Sequence, residues 1–320
     1  MGHQMSSVPF ISWLGHGAAD LAPPGVFTGA KANMFAFEAD VSAMQALANK
    51  LLNPAGAGTV AYKAIAPFGM VSFMDIASCS SGTDVVGWLP GRETAFWVVL
   101  AEIHPAEPAK DRIVFWAPYI FINYTIGMVI GRQTWGWPKV LADITVASDN
   151  PTAPVFDCTT TYFPTLSQTT QGVTGSLFKV VGFNPAERPR SIWESGKAAF
   201  EALAASLFSG LARDLIDNLG ELPQVPSVAL KQFRQPGAAG TACYQAICDS
   251  PIEITAFSDA GPQPDNLTLQ ITTCQSHQIV ADFLGRTPDP NLTSLPIVFG
   301  AWANLDFQAL TGADIVVNQG

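Results

Sequence analysis

The feature that most limits the fold of this chain is the spacing of its apolar residues. Short strand-like runs recur along most of its length, and a helical period interrupts them in only two places. Residues 33–38 (NMFAFE) read as a strand. Similar runs lie at 58–65, 70–77, 95–103, 112–122, 126–131, 141–147, 155–163, 173–182, 228–233, 243–258, 266–274 and 296–302. Glycines and prolines, 27 and 24 of them, are spread along the chain as turns between strands require. One helix is predicted over 41–52. Asp40 stands at its N-cap, Met44, Leu47, Leu51 and Leu52 form its apolar face, and Asn53-Pro54 ends it. The other is predicted within 184–220, where Phe200, Leu203, Leu207, Leu211, Leu215 and Leu219 recur at steps of three and four. Many strands, a short helix, a long helix and then strands again is an α+β order. It predicts a dominant antiparallel sheet or barrel and excludes alternating βαβ units.

Hydrophobic residues make up 48% of the 320 and charged residues 13%, the balance of a folded globular chain. Residues 1–30, rich in Gly and Pro, are expected to form an N-terminal arm. Residues 31–320 then form a single domain with a helical segment at about 184–225. The net charge is −10 with no run of Lys and Arg, so nucleic acid is not an expected partner. No apolar stretch reaches the roughly 20 residues that span a bilayer, and the first 18 residues lack a basic region followed by an apolar one. The five cysteines include no Cys-x-x-Cys pair, which suits reduced thiols in a cytoplasmic protein. A homo-oligomer is expected.

Several chemistries have no support. There is no Gly-x-Gly-x-x-Gly, no Walker loop and no Gly-x-Ser-x-Gly elbow. His3, His16, His104 and His277 stand far apart, so no metal site is expected, and no cofactor either. What remains is a lysine. Lys139 is the only one between Lys110 and Lys179, and it is flanked by Trp135, Trp137, Pro138, Val140 and Leu141. Desolvation among such groups disfavours an ammonium. A neutral amine can attack a ketone, and the iminium that results is an electron sink for a departing carboxylate or α-proton. The competing interpretation is a lysine whose stem lies on apolar surface and whose charge reaches water.

The segment Gly131-Arg132-Gln133-Thr134-Trp135-Gly136-Trp137-Pro138-Lys139 resembles the "GRE…(aromatic)-Pro-Lys" segment of the acetoacetate decarboxylase family. Gly91-Arg92-Glu93, followed by the apolar run 96–100, resembles the loop and strand carrying that family's active-site glutamate. Weaker matches follow in the same order at 33–47, 71–76, 228–233 and 243–258. The resemblance implies a cone-like antiparallel barrel or sheet with flanking helices. It also implies Lys139 as the Schiff-base lysine and Glu93 as its acid/base partner. Arg132, Glu38, Trp135, Trp137, Phe73 and Gln133 become candidates for binding the substrate, a small keto acid or ketone. Val140 stands where the family's decarboxylases carry a second lysine, and Gln133 where they carry a glutamate. Glu38 falls roughly where they carry an arginine that contacts the substrate carboxylate, and either Met74 or Asp75 where they carry another acid.

Three functions are compatible with these residues. The first is a cofactor-free lysine lyase that decarboxylates a β-keto acid larger than acetoacetate, since an acid at position 38 repels a small anion. The second is aldol condensation with dehydration or cyclisation on the same fold. The third is a non-catalytic binder of a hydrophobic ligand.

Overall fold

The computed structural model describes residues 9–12, 15, 21–146, 156–184 and 224–318. The helix predicted within 184–220 lies almost wholly outside them. The chain opens with strand β1 (Gly25–Glu38), helix α1 (Val41–Leu51) and the short α2 (Asn53–Gly56). β2 (Ala61–Ala64), β3 (Phe68–Ser81), β4 (Trp88–Ile103) and β5 (Arg112–Ile122) follow. After α3 (Thr125–Ile130) come β6 (Lys139–Leu141), β7 (Asp143–Thr145), β8 (Phe156–Tyr162) and β9 (Val173–Val181). Beyond the undescribed stretch lie β10 (Gln224–Val225), β11 (Ser227–Arg234), β12 (Ala242–Asp249), β13 (Ile252–Pro262) and β14 (Thr268–Thr272). The last elements are α4 (Ile279–Leu284), β15 (Leu292–Pro296), β16 (Phe299–Ala309) and β17 (Ala313–Asn318).

The strands form two sheets. The larger runs β10-β13-β16-β1-β3-β4-β5-β11-β12-β17, with β2 added on β4 and β6 on β5; the smaller runs β15-β14-β9-β8-β7. β5 pairs in parallel with β6 and with β11, while the other pairings are antiparallel. This is the α+β, mainly antiparallel architecture expected from the sequence. No helix among the described residues is long and apolar enough to cross a membrane.

Strand alternation divides the residues of the large sheet between its two faces. Phe35 and Phe37 of β1, Val71 and Phe73 of β3, Phe96 and Val98 of β4, and Phe121 of β5 face the small sheet. There they meet Phe156 and Phe178, with ring centroids 5.0 Å apart for Phe35–Phe156 and 4.8 Å for Phe96–Phe178. Burying each such ring contributes about 1.5–3 kcal/mol. α1 and α4 close this core with Met44, Leu47, Ile279 and Phe283. The Asp40 carboxylate caps α1 as expected, accepting from the amides of Ser42 and Ala43 at 2.7 and 3.0 Å. The opposite face of the large sheet presents Ala95, Ile120 and Lys139, which stand side by side across β4, β5 and β6.

Three expectations are corrected. β1 begins at Gly25, inside the stretch assigned to the arm. Residues 126–131 are helical, although β-branched content favours a strand there. Ile126 and Ile130, four apart, both join the cluster around Trp135 and Trp137; a helical turn brings such a pair to about 5–6 Å, where a strand would hold it about 13 Å apart. The run 243–258 is two strands, since Ser250-Pro251 separates β12 from β13. α4, β15 and β17 were not foreseen.

Candidate active site

Backbone geometry puts Lys139 where it is. α3 continues into a wider turn of π type over Gly131–Trp135, a conformation frequent at functional sites. The turn ends at Gly136, whose φ of +76° favours glycine. A Cβ on Gly136 would also lie 2.7 Å from Lys231 Cβ and 2.8 Å from its backbone nitrogen, so glycine lets β11 pack directly on the turn. The Trp137 amide donates to Gly131 O at 3.0 Å and the Lys139 amide to Trp137 O at 2.8 Å. Pro138 thus hands the chain to β6 with Lys139 as its first residue.

The Lys139 side chain is buried, with 4% of its surface exposed. Its Nζ donates to Glu93 Oε2 in a short ion pair. Sheet register explains the meeting. Lys139 is level with Ile120 and Ile120 with Ala95, and Glu93 lies two residues along β4 from Ala95 on the same face. The small Ala95 leaves the pair room to close over β5. The ammonium also stands 4.8 Å from the centroid of the Trp137 ring. Trp137 is stacked on Trp135, centroids 5.1 Å apart, and Trp135 Nε1 donates to Leu310 O at 2.8 Å. The lysine stem runs over Gly131, where an added Cβ would lie 2.6 Å from Lys139 Cδ.

Gly131→Ala should therefore displace the lysine before it unfolds the protein. The expected outcome is at least a tenfold slower reaction of Lys139 with a keto acid. The melting transition should shift by no more than about 1–3 kcal/mol of overpacking. Trapping rate and thermal melt, measured side by side, check it.

Lys139 closes one wall of a cavity of about 40 Å³. Phe27, Cys79, Tyr124, Ile130, Trp135 and Trp137 form most of the rest, and Leu21, Ala22 and Gly25 cover it. The covering segment is tied to the β3–β4 turn. Ala22 N donates to Asp84 Oδ2 at 2.7 Å, Ser81 Oγ to Ala22 O at 2.7 Å, and Gly82 N to Pro24 O at 2.8 Å. The Tyr124 hydroxyl is hydrogen-bonded to Cys79 Sγ. Burial pushes the Cys79 thiol up to about 11, an effect that the Tyr124 hydrogen bond partly offsets. Burial, with the adjacent Cys79 and Glu93, holds the Tyr124 hydroxyl well above the ordinary phenol range. Both groups keep their protons at neutral pH.

The structure brings together Lys139, Glu93, Trp135 and Trp137 from the sequence-derived set. It separates the others. Phe73 is fully buried on the opposite face of β3, packed against Phe156 and Phe178. Glu38 is exposed at the far end of β1, eleven residues past the cavity-lining Phe27, about 35 Å along an extended strand. The ground for excluding a small anionic substrate goes with it. Arg132 and Gln133 line a separate groove of about 490 Å³ on the other side of Trp137. Arg132 Nη1 donates to Lys139 O at 3.2 Å, so it holds the backbone of the lysine rather than a ligand in the cavity. Met74 is level with Glu93 on the cavity side of the sheet. Asp75 instead pairs with Arg92 at 3.2 Å, which leaves Glu93 to Lys139. Sequence reasoning missed Tyr124, Cys79 and Phe27. A depression of about 790 Å³ beside α1 and α4 contains none of the sequence-derived site residues.

Residues 15–166 match the family model of acetoacetate decarboxylase. No curated protein matches by sequence. Among solved structures, the chain is similar to acetoacetate decarboxylase from Legionella pneumophila, with a TM-score of 0.60 and 14% identity over 98% of this chain and 94% of that one. It is similar to an acetoacetate decarboxylase-like enzyme from Sphingomonas wittichii RW1, with a TM-score of 0.57 and 13% identity over 97% and 99%. The enduracididine biosynthesis enzyme MppR, complexed with the condensation product of pyruvate and imidazole 4-carboxaldehyde, gives 0.56 and 14% over 98% of each chain.

Proposed function

We propose that this chain, which matches the acetoacetate decarboxylase family model over residues 15–166 and is similar in fold to solved structures of that kind, is a cofactor-free lyase in which Lys139 forms a Schiff base with a keto acid or ketone. The observation that carries this reading is the ion pair between the buried Lys139, which lines an apolar cavity, and the half-buried Glu93.

The pair can change form without changing net charge. One proton passes from Nζ to the carboxylate, leaving an amine and a carboxylic acid. The amine attacks the substrate carbonyl carbon and the C=O π bond breaks toward oxygen. One amine proton moves to that oxygen, and the Glu93 acid delivers a second as the C–O bond breaks. Water leaves, and the iminium on Lys139 faces the Glu93 carboxylate. In a β-keto acid the bond to the carboxylate carbon then breaks, CO₂ departs, and its electron pair forms an enamine. Glu93, reprotonated from solvent, protonates the enamine carbon. Hydrolysis of the iminium by water frees the ketone and the lysine.

Among the described residues lining the cavity, Lys139 is the only cation. A substrate carboxylate there faces apolar walls and the iminium itself, an environment that favours its loss as CO₂. A space of about 40 Å³ suits a compact keto acid rather than a large one. The same enamine could attack an aldehyde, which is the aldol branch, and the condensation product bound by the structurally similar MppR gives that branch its support.

Proton exchange tests this without presupposing the substrate. With small ketones and keto acids in D₂O, followed by NMR, the protein should wash deuterium into the α-carbon far faster than buffer does. CO₂ release from a β-keto acid marks decarboxylation, and product formed only with an added aldehyde marks the aldol branch. No exchange with any compound would sink the proposal.

A further inference from the structure

The mechanism above leaves the Tyr124 hydroxyl in the cavity unused. Tyr124 caps the N-terminus of α3, and its ring is fitted between two glycines. A Cβ on Gly91 would lie 2.4 Å from Tyr124 Cε1, and one on Gly127 would lie 2.4 Å from both Cε2 and Cζ. Each flanking position must lack a side chain for the ring to stand there. The ring carries its hydroxyl to the wall of the cavity that holds Lys139, where its partner is Cys79 Sγ. A thiol is a weak hydrogen-bond partner, so this buried hydroxyl is held but poorly satisfied. The cavity is small enough that a carbonyl attacked by Lys139 stays close to Tyr124.

The geometry points to Tyr124 as a further catalytic residue, the hydrogen-bond donor to the substrate oxygen while Lys139 attacks. The inference rests on Lys139 being the nucleophile. As the C–N bond forms, electrons of the C=O π bond move onto oxygen. That oxygen is a far stronger acceptor than sulfur, so the hydroxyl turns from Cys79 to it. Tyr124 keeps its proton throughout, and the two protons that leave with the oxygen as water come from Lys139 and Glu93 as before. Its contribution is electrostatic, of the kind a preorganised donor supplies to a developing alkoxide. Tyrosine fits this task because burial keeps it neutral and protonated.

Tyr124→Phe tests it, since the ring still fills the space between Gly91 and Gly127. Wild type and variant are incubated with acetoacetate, and with pyruvate as a second probe, and the initial rate of borohydride-trapped adduct at Lys139 is compared. With wild type trapping at Lys139 and both proteins melting alike, the variant should trap roughly 10- to 1000-fold more slowly. Rates within twofold of each other overturn the role of Tyr124 while leaving the lysine reading intact. Absence of a Lys139 adduct in wild type overturns both. If Tyr124→Phe does not fold, 3-fluorotyrosine at position 124 keeps the hydroxyl and strengthens it as a donor. An unchanged rate in that protein overturns the proposal, and a rate change of twofold or more supports it.

Discussion

Lys139→Met should lower turnover of the protein's keto-acid substrate by roughly four orders of magnitude or more, the scale on which loss of a covalent nucleophile acts. Methionine keeps the length and apolar stem that pass over Gly131 and Trp137 and removes only the amine. Lys139→Arg is the sharper comparison. It keeps the positive charge beside Glu93 and with it the ion pair, yet a guanidinium does not form a Schiff base. Both variants should be silent in steady-state assays while circular dichroism shows the native fold. Activity within tenfold of wild type in Lys139→Arg would mean that the lysine acts by charge alone.

The second large effect belongs to Glu93→Gln. The amide keeps the shape of the carboxylate and accepts a hydrogen bond from Nζ, but it takes no proton. Loss of general acid–base help costs about 10²–10⁴-fold, so kcat/KM should fall by that factor. Any adduct that still forms should map to Lys139. Its rate should partly recover as pH rises, because the proton that Glu93 receives must then leave to base in solution. The matched control is Asp75→Asn. The Asp75–Arg92 pair is about one quarter exposed on each side, so its loss should cost no more than about 1 kcal/mol and leave trapping at Lys139 unchanged.

The parts legible in the sequence were those carried by composition and local spacing. A chain with eight lysines makes one set among tryptophans conspicuous. The sheet then delivers Glu93 to it because the two residues fall on one face, three strands wide. The errors have physical causes. Phe73 and Met74 are neighbours, yet strand alternation sends one into the inter-sheet core and the other toward the cavity. Glu38 is the last residue of the 14-residue β1, which carries it away from the cavity-lining end. The helical turn at 125–135 is imposed by packing around Trp135 and Trp137, against local β propensity. Tyr124 went unnoticed because its signal is two glycines, Gly91 and Gly127, that are remote in sequence and meaningful only once the ring stands between them.

Identifying the trapped residue tests the central claim most directly. The folded protein is reduced with borohydride in the presence of acetoacetate, pyruvate and a series of further keto acids, then digested with trypsin and weighed. A reduced adduct on Lys139 blocks cleavage there. One new peptide is expected, spanning residues 133–179 and heavier by the mass of the reduced ligand. Mass added only at another lysine would contradict the claim, and no added mass with any compound would contradict it and leave a protein that binds its ligand in an apolar cavity without reacting with it.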